Sequence, residues 1–415
     1  MPRLLFALMS LLFVGPVVAQ TIARIDVHIP HATGALNIPV QTSIDGLTQL
    51  TDNELALIYV QSGKRMSVPF QIVDENGKRT LHFLIPPIQQ EGGKPVFELV
   101  RKREERIVFP MLRLQDEKGG LTVKTGAKNL LHYQSEKLDA PEGVDPSYGR
   151  SGFIHPLWTP SGKVLTRIQP PDHYHHYGIW NPWTHVMFEG DTIDFWNLNK
   201  KEGTVRFSKF LGRTEGPVFT EFAARHEHVV LGKNGKEKIA LNEVQTVRAY
   251  SPGPERHYVV DITIELTCAG KSPFRILAYR YAGLGWRTTE KWDNKNSEVL
   301  TSEGKSRRDA DGSNARWCLV QGAIDKDDAG ALIMSFPANY NHPEPLRIWP
   351  ENQYDRGDMF VNFSPTKNKD WELFPGDTYT LRYRFIVFDG KFDSERSEAA
   401  WRYFAEPIKI TVTKR

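Results

Sequence analysis

The chain has 415 residues, with 53 Lys and Arg side chains against 50 Asp and Glu. This near balance argues against the basic surfaces that bind nucleic acid or anionic membranes. Aromatic residues make up 11% of the chain, and Gly and Pro number 32 and 27. This composition favours sheets and long loops over helix bundles, and the length favours two domains.

The N-terminus has the layout of a secretion signal. Arg3 gives a short basic start, an apolar run covers residues 4–18, and small or branched residues precede Gln20. The run is shorter than the about 20 residues of a membrane-spanning helix. We therefore predict a signal peptide over residues 1–19, a periplasmic or secreted mature protein, and no membrane insertion after cleavage. An uncleaved anchor is the alternative.

Alternation of apolar and polar residues recurs along the chain and predicts an all-β fold. In residues 257–266 and again in 378–387, apolar side chains occupy every second position, which is typical of a half-buried strand. We predict a small immunoglobulin-like sandwich over residues 20–108 and a larger β-sandwich over residues 109–415. One short helix is predicted near the C-terminus, over residues 394–404.

Only two cysteines are present, Cys268 and Cys318. An oxidising compartment allows them to pair, although two thiols do not make a disulfide framework. Whether they are bridged is left open.

The most distinctive region, residues 155–197, is rich in histidine and tryptophan. Its centre reads Pro-Pro-Asp-His-Tyr-His-His-Tyr-Gly over residues 170–178, a composition that favours a rigid loop entering a strand. Imidazole is suited to proton transfer near neutral pH, and a neighbouring carboxylate orients it. We therefore expect an active or binding site here. The candidate catalytic residues are His176 as acid/base, with His175, His173, Asp172, His155 and Asp194.

Aromatic and basic residues are candidates for binding the substrate. Indole and phenol rings offer flat apolar faces to a sugar ring, and guanidinium groups recognise carboxylates. The candidate substrate-binding residues are Trp158, Tyr177, Trp180, Trp183, Trp196, Arg280 and Arg287. We expect the imidazoles and the indoles to meet in one concave opening between two sheets.

Two other interpretations of the histidines stay open. His173 and His175, together with a distant carboxylate, are able to hold a metal ion, but the sequence has neither an HExxH motif nor paired-cysteine spacing. No cofactor is therefore predicted, with a metal as the less favoured alternative. In the other interpretation the histidines are structural, with their hydrogen bonds satisfied in the interface between two sheets. Further along, His226 and His228 share one face of an alternating segment that we interpret as a surface strand.

The same region resembles a family of exported bacterial proteins known, misleadingly, as methane oxygenase PmoA. The similarity rests on Ser-Gly-Phe-Ile-His-Pro-Leu at residues 151–157, Asp-His-x-His-His-x-Gly at 172–178 and Asp-Phe-Trp at 194–196. The family motif reads Asp-His-Pro-His-His-Arg-Gly, so Tyr174 replaces its proline and Tyr177 replaces its arginine. The loss of the arginine counts against a carried-over contact to an anionic group. The resemblance implies a role in glycan catabolism.

The sequence therefore predicts a periplasmic carbohydrate-active enzyme that cleaves or modifies a glycoside, or an oxidised or acidic sugar, by histidine acid–base catalysis. A hydrolase needs an acid at the leaving oxygen and a lyase needs a base near a carbon acid, and the sequence does not choose between them. The expected partner is an oligosaccharide or glycoside, with no nucleic acid. The alternatives are a non-catalytic carbohydrate-binding protein and a metal-dependent sugar-active enzyme.

Overall fold

The structure is a computed structural model that describes residues 20–75, 77–88, 91–102, 109–232, 235–253 and 256–415. These residues form strands in five sheets and a single α-helix, so the predicted all-β fold is confirmed. The signal peptide predicted over residues 1–19 lies outside the described residues. So do residues 103–108, where the sequence places the end of the first domain.

The strands are numbered in chain order. The first fourteen are β1 (Thr21–His28), β2 (Ile38–Ser43), β3 (Leu55–Gln61), β4 (Lys64–Val68), β5 (Phe70–Glu75), β6 (Lys78–Ile85), β7 (Val96–Arg101), β8 (Leu112–Glu117), β9 (Gly120–Thr125), β10 (Lys128–Gln134), β11 (Phe153–Leu157), β12 (Ile179–Trp180), β13 (Val186–Phe188) and β14 (Asp191–Ile193).

The later strands are β15 (Gly203–Thr214), β16 (Phe219–Leu231), β17 (Glu237–Tyr250), β18 (His257–Cys268), β19 (Phe274–Ile276), β20 (Gly285–Arg287), β21 (Ser297–Thr301), β22 (Asn314–Ala315), β23 (Trp317–Ile324), β24 (Asp327–Ser335), β25 (Glu344–Ile348), β26 (Phe360–Phe363), β27 (Trp371–Leu373), β28 (Tyr379–Asp389) and β29 (Lys409–Lys414). The helices are α1 (Ser394–Ala405) and the one-turn 3-10 helices Asp52–Glu54, Pro146–Tyr148 and Leu198–Lys200.

The N-terminal part is a small sandwich of two sheets. One has the strand order β29-β1-β7-β3-β4 and the other β2-β6-β5. Their apolar positions, among them Ile25, Leu57 and Phe83, are buried in a common core. The last strand, β29, pairs antiparallel with β1, with Val412 opposite Ile25. The C-terminus thus joins the N-terminal sheet, a pairing that the division into residues 20–108 and 109–415 did not foresee.

The larger part is a sandwich of a nine-stranded and an eight-stranded sheet. The nine-stranded sheet has the order β22-β25-β26-β20-β12-β11-β10-β9-β8, and the eight-stranded sheet has the order β15-β16-β17-β18-β28-β24-β23-β21. Their inner faces share one core, to which Trp286, Val361 and Ile262 contribute. The four-stranded sheet β14-β13-β19-β27 packs on the same core through Val186 and Phe274.

The eight-stranded sheet is covered on both faces. In β28, Phe385 faces the nine-stranded sheet, whereas Ile386 and Phe388 pack into the core of the N-terminal sandwich. The prediction of a half-buried strand over residues 378–387 was therefore wrong at its C-terminal end, because a third layer buries the second face. Helix α1 packs on this core, and Asp393 caps it by accepting a hydrogen bond from the backbone N–H of Arg396 at 2.8 Å.

Two further features bear on the predictions. Cys268 and Cys318 are both unbridged, Cys318 being buried. Within the described ranges, no helix has the length and apolar character that crossing a membrane requires.

Candidate functional site

The histidine loop, defined as residues 170–178, lies at one end of the nine-stranded sheet. It leads into β12, which pairs antiparallel with β20, and β20 pairs antiparallel with β26. Because neighbouring strands run in opposite directions, the start of β12, the end of β20 and the start of β26 lie at the same end. The loop therefore lies beside Arg287, the last residue of β20, and Phe360, the first residue of β26.

The loop consists of turns, as expected from its prolines and glycine. Two turns follow each other: His173 N–H donates to the carbonyl of Pro170 at 2.8 Å, and His176 N–H donates to the carbonyl of His173 at 3.0 Å. Gly178 then has a φ of +57°, and a Cβ there would lie 2.2 Å from the carbonyl oxygen of Ile154. Only glycine fits this approach of the loop to β11.

These turns bring three imidazoles together. One ligand nitrogen from each of His173, His175 and His176 lies within 4.8 Å of the others. The ring centroids are 4.7 Å apart for His173 and His176, 4.9 Å for His175 and His176, and 5.2 Å for His173 and His175. His176 is buried and the other two are half-buried. Three of the six predicted catalytic residues thus form one cluster.

Asp172 connects this cluster to the protein. Its Oδ2 atom accepts from His173 Nδ1 at 2.9 Å and from Arg287 Nη2 at 2.8 Å, and Arg287 also donates to Asp358 at 2.9 Å. Burial alone would raise the pKa of Asp172, but His173 and Arg287 together lower that pKa to about 2. The carboxylate is therefore ionised and holds His173 in one orientation.

Burial governs the protonation of the other two imidazoles. It lowers the pKa of His175 to about 4 and that of His176 well below its usual value, and the neighbouring histidines add to both effects. Both rings are therefore neutral at pH 7, with a free lone pair each. His176 Nδ1 is buried without a hydrogen-bond partner. Such rings are suited to binding a cation, whereas efficient acid–base catalysis needs a pKa close to the working pH.

Aromatic rings enclose the cluster from behind. The centroid of the His176 ring lies 4.9 Å from Phe360, 5.2 Å from Trp180 and 5.5 Å from Trp349. These rings and Trp196 belong to a small apolar cluster separate from the main core. The imidazoles and two predicted indoles do meet, but on the outer face of the nine-stranded sheet. The prediction of an opening between two sheets was therefore wrong. Side chains alternate along β12, so Ile179 packs in the main core and Trp180 lies on the outer face of the nine-stranded sheet.

Several predicted substrate-binding residues lie elsewhere. Trp183 packs in the main core, 6.0 Å from Trp371. Trp158 is half-buried and forms a bridge with Val164. Arg280 is exposed, with its guanidinium 5.4 Å from the ring of Tyr281.

Tyr177 and Trp180 lie next to the cluster but are covered. Tyr177 is buried and its hydroxyl donates to the carbonyl of Tyr148. Trp180 and Trp196 are 1% and 2% exposed. In this conformation they form the wall behind the imidazoles and present no open face to a ligand.

His155 and Asp194 are separate from the three imidazoles. His155 Nδ1 contacts Thr166 Oγ1 at 2.8 Å. His155 lines a cleft of about 830 Å³ together with Lys163 and Arg167. Burial lowers the pKa of His155 to about 4.

Asp194 is buried and fully bonded. Its Oδ1 accepts from the backbone N–H groups of Trp196 and Asn197 at 2.8 Å each, and its Oδ2 accepts from Lys200 at 2.8 Å. Its carboxylate therefore holds the turn after β14, which is a structural role rather than the catalytic one predicted from the sequence.

Four contact residues were missed from the sequence. Trp349, Tyr354, Asp358 and Phe360 follow β25 or begin β26, more than 170 residues after the loop. Nothing in the local pattern marks them, because their position depends on which strands pair. Tyr354 is exposed, and its hydroxyl lies 3.2 Å from His173 Nε2.

The interpretation of His226 and His228 as surface residues was wrong. Both are buried in β16, and each bonds Glu243 of the adjacent β17 at 3.0 Å. The two histidines lower the pKa of Glu243 despite its burial. The face they share is turned inward, because the nine-stranded sheet covers it.

Fold and site define an all-β sandwich protein with a three-histidine site on its outer face. Residues 120–402 match the family of unknown function DUF6807. The match covers more than half of the chain, which therefore belongs to that family. No curated protein matches.

Some solved structures are distantly similar. An α-mannosidase from Enterococcus faecalis has a TM-score of 0.43 and 9% identity, with 95% of this chain and 47% of that chain covered. A glycosyl hydrolase family 38 protein from the same organism has a TM-score of 0.44 and 9% identity, with 95% and 48% covered. A GH36 α-galactosidase from Geobacillus stearothermophilus has a TM-score of 0.29 and 12% identity, with 68% and 39% covered. The chain thus spans about half the length of the Enterococcus proteins, and at these scores the similarity says nothing about activity.

Proposed function

We propose that this chain is a metal-dependent carbohydrate-active enzyme in which His173, His175 and His176 bind one divalent transition metal ion. The observation that carries the proposal is the convergence of their ligand nitrogens within 4.8 Å. Nitrogens bound tetrahedrally to one zinc ion at about 2.1 Å lie about 3.4 Å apart. A small rotation of the side chains therefore closes the set around an ion.

The surroundings of the imidazoles support the same proposal. Asp172 accepts the Nδ1 proton of His173, which leaves Nε2 of that ring as the ligand atom, where an ion would replace the contact with the Tyr354 hydroxyl. Arg287 fixes the carboxylate, so the orientation of His173 is set before an ion arrives. The buried Nδ1 atom of His176 has no partner, and such an orphaned atom is costly unless something binds to the ring.

A metal held by three histidines keeps a position for water or substrate, where it polarises an oxygen or activates water. The chain itself provides the approach to that position. Tyr354 is exposed beside His173, and the half-buried ring of Tyr148 lies 5.6 Å from Tyr174 and 6.5 Å from His175. Partly exposed phenol rings of this kind present apolar faces to a sugar ring and hydroxyls to its polar edge.

The location and the substrate class belong to the proposal as well. The apolar run at residues 4–18 supports a periplasmic or secreted protein. The resemblance of residues 172–178 to an exported family implicated in glycan catabolism supports an oligosaccharide or glycoside substrate.

A metal-free enzyme is the second candidate, with His173 in place of His176 as the acid/base. The side chain of His173 is 16% exposed, and the bond from Nδ1 to Asp172 orients it. His176 is less suited to this role, because it is buried and its pKa is well below the usual value.

The test is a panel of oligosaccharides incubated with the full chain, scored for new reducing ends and for unsaturated products. The protein is compared as purified, after chelation, and after chelation and addition of zinc, iron or manganese. We expect activity to be lost on chelation and restored by one of the metals. His175→Ala should abolish it, whereas His28→Ala, at an exposed strand histidine, should not. Activity that survives both chelation and His175→Ala would overturn the proposal, and loss only with His173→Ala would favour the second candidate.

A further inference from the structure

Arg150 is a buried arginine without an ion-pair partner among the described residues. It is 2% exposed, and its Nε and Nη1 atoms have no hydrogen-bond partner. Its guanidinium lies 5.5 Å from the centre of the Tyr177 ring, a contact that positions the group without satisfying its donors. Burying a charged group with free donors is costly unless an acceptor is supplied.

The interior provides a compensating charge but no acceptor. Glu243 interacts with Arg150 through its charge, yet no hydrogen bond joins the two. The Glu243 oxygens are already occupied by His226, His228 and Asn181, each at 3.0 Å. The buried Nε and Nη1 donors of Arg150 are therefore left without an acceptor from the described residues.

Arg150 lines a cleft of about 410 Å³, named here the Arg150 cleft. The basic residues of its lining are Lys137, Arg150 and Arg206, and none of the described lining residues is acidic. Arg206 is paired with Glu227 and Glu237, whereas Lys137 is exposed and makes no ion pair in the described part of the chain. Serine and threonine residues complete the polar lining, namely Ser135, Ser147, Ser151 and Thr204.

We propose that the Arg150 cleft binds the oxyanion of an acidic saccharide, a carboxylate or a sulfate ester. The guanidinium fork matches two oxygens of either group. The volume lies within the about 300–1,000 Å³ typical of small-molecule sites. That the ligand is a saccharide rests on the proposed function, whereas the oxyanion chemistry rests on the cleft alone.

The cleft and the histidine loop share one segment of chain. Gly149 and Ser147 line the cleft, while the intervening Tyr148 packs against Tyr174 and His175. An acidic ring bound at Arg150 is therefore adjacent to the three imidazoles without contacting them. The cleft would then select the charge of the substrate, and the imidazoles would serve the reaction.

The test is isothermal titration calorimetry of the full chain with glucuronate, glucose and sodium sulfate, in a buffer that contains a chelator. We expect glucuronate or sulfate to bind and glucose not to bind. Arg150→Lys, which keeps the charge but loses the fork, should weaken binding about tenfold or more. The rim variant Lys137→Gln should weaken it about threefold. Arg384→Lys is the matched control, at a buried arginine paired with Asp261.

The outcomes are distinct. Binding of glucuronate alone identifies a carboxylate, and binding of sulfate alone identifies a sulfate ester. The proposal would be overturned if neither anion binds, or if the wild type and Lys137→Gln bind the anion equally well. The comparison with Lys137→Gln can be made even if Arg150→Lys does not fold. His175→Ala should still bind the anion, because His175 does not line the Arg150 cleft. Failure of the metal proposal would therefore leave the anion-binding result unchanged.

Discussion

Arg287 Nη2 donates to Asp172 Oδ2 at 2.8 Å, and the same oxygen accepts from His173 Nδ1 at 2.9 Å. Arg287 is itself immobilised, because it is 1% exposed and lies 4.6 Å from the centre of the Trp349 ring. From the sequence, Arg287 is predicted to be a substrate-binding residue. Its contacts are those of a positioning residue, which acts on the imidazole cluster through Asp172.

Asp172→Asn should lower the affinity of the chain for zinc by about 10–100-fold. The neutral amide is a weaker acceptor for the Nδ1 proton of His173 than the charged carboxylate, so it orients the imidazole less firmly and makes it less basic. The measurement is a competition titration with a chromogenic chelator. Asp191→Asn, at an exposed aspartate of β14, is the control and should bind zinc like the wild type. Equal affinity in the wild type and Asp172→Asn would show that the carboxylate does not support a metal ligand.

Trp180→Ala should destabilise the fold by about 3–5 kcal/mol, because it opens a cavity in a buried aromatic cluster. Tyr354→Ala should change stability by less than about 0.5 kcal/mol, because that ring is exposed. Urea unfolding followed by tryptophan fluorescence and by circular dichroism checks both. If Trp180→Ala were as stable as the wild type and lost only sugar binding, the ring would be a stacking platform after all.

Asp194→Ala should lower the free energy of unfolding by about 2–3 kcal/mol, because two backbone N–H groups and Lys200 lose their acceptor. Its zinc affinity should equal that of the wild type. Thermal unfolding and the chelator competition provide the two readouts. A stable variant that no longer binds zinc would return Asp194 to the functional site.

Glu344 should make stability fall as the pH rises. It is buried and accepts from Ser335 at 2.6 Å, Asn339 at 2.8 Å and Tyr383 at 2.9 Å. Burial raises its pKa from 4.5 to about 7, more than these bonds lower it. The folded state then keeps a proton that the unfolded state releases, so the stabilising contribution is full below pH 4.5 and is lost as the pH rises through about 7.

The loss amounts to about 3 kcal/mol across this interval. Glu344→Gln cannot ionise, so its melting temperature should fall less than that of the wild type between pH 4.5 and 8. The quantity to compare is the difference between the two proteins at each pH, because other groups titrate equally in both. A constant difference would mean that Glu344 keeps an ordinary pKa.

Much of the local structure was predictable from the sequence. Alternation predicted the strands over residues 257–266 and 378–387, and the apolar stripe predicted the helix over 394–404, which the structure extends by one residue to Ala405. The composition of residues 170–178 predicted a rigid loop. These features depend on neighbours along the chain, and their signal is contained in the local sequence.

What was missed depends on contacts between distant segments. His226 and His228 alternate like surface residues, but a second sheet covers their face, and Glu243 is one strand away. Trp349 and Phe360 reach the imidazoles only because β25 and β26 lie three and two strands from β12 in the sheet order. Strand order is not encoded in alternation, so these positions were not foreseeable.

Metal content tests the central claim most directly. The full chain, produced without a histidine tag and dialysed after incubation with zinc, would be analysed by inductively coupled plasma mass spectrometry beside the double variant His173→Ala/His175→Ala. We expect about one zinc ion per wild-type chain and almost none in the double variant. A wild type that holds no zinc, iron or manganese after such incubation, or a double variant that holds as much as the wild type, would contradict it.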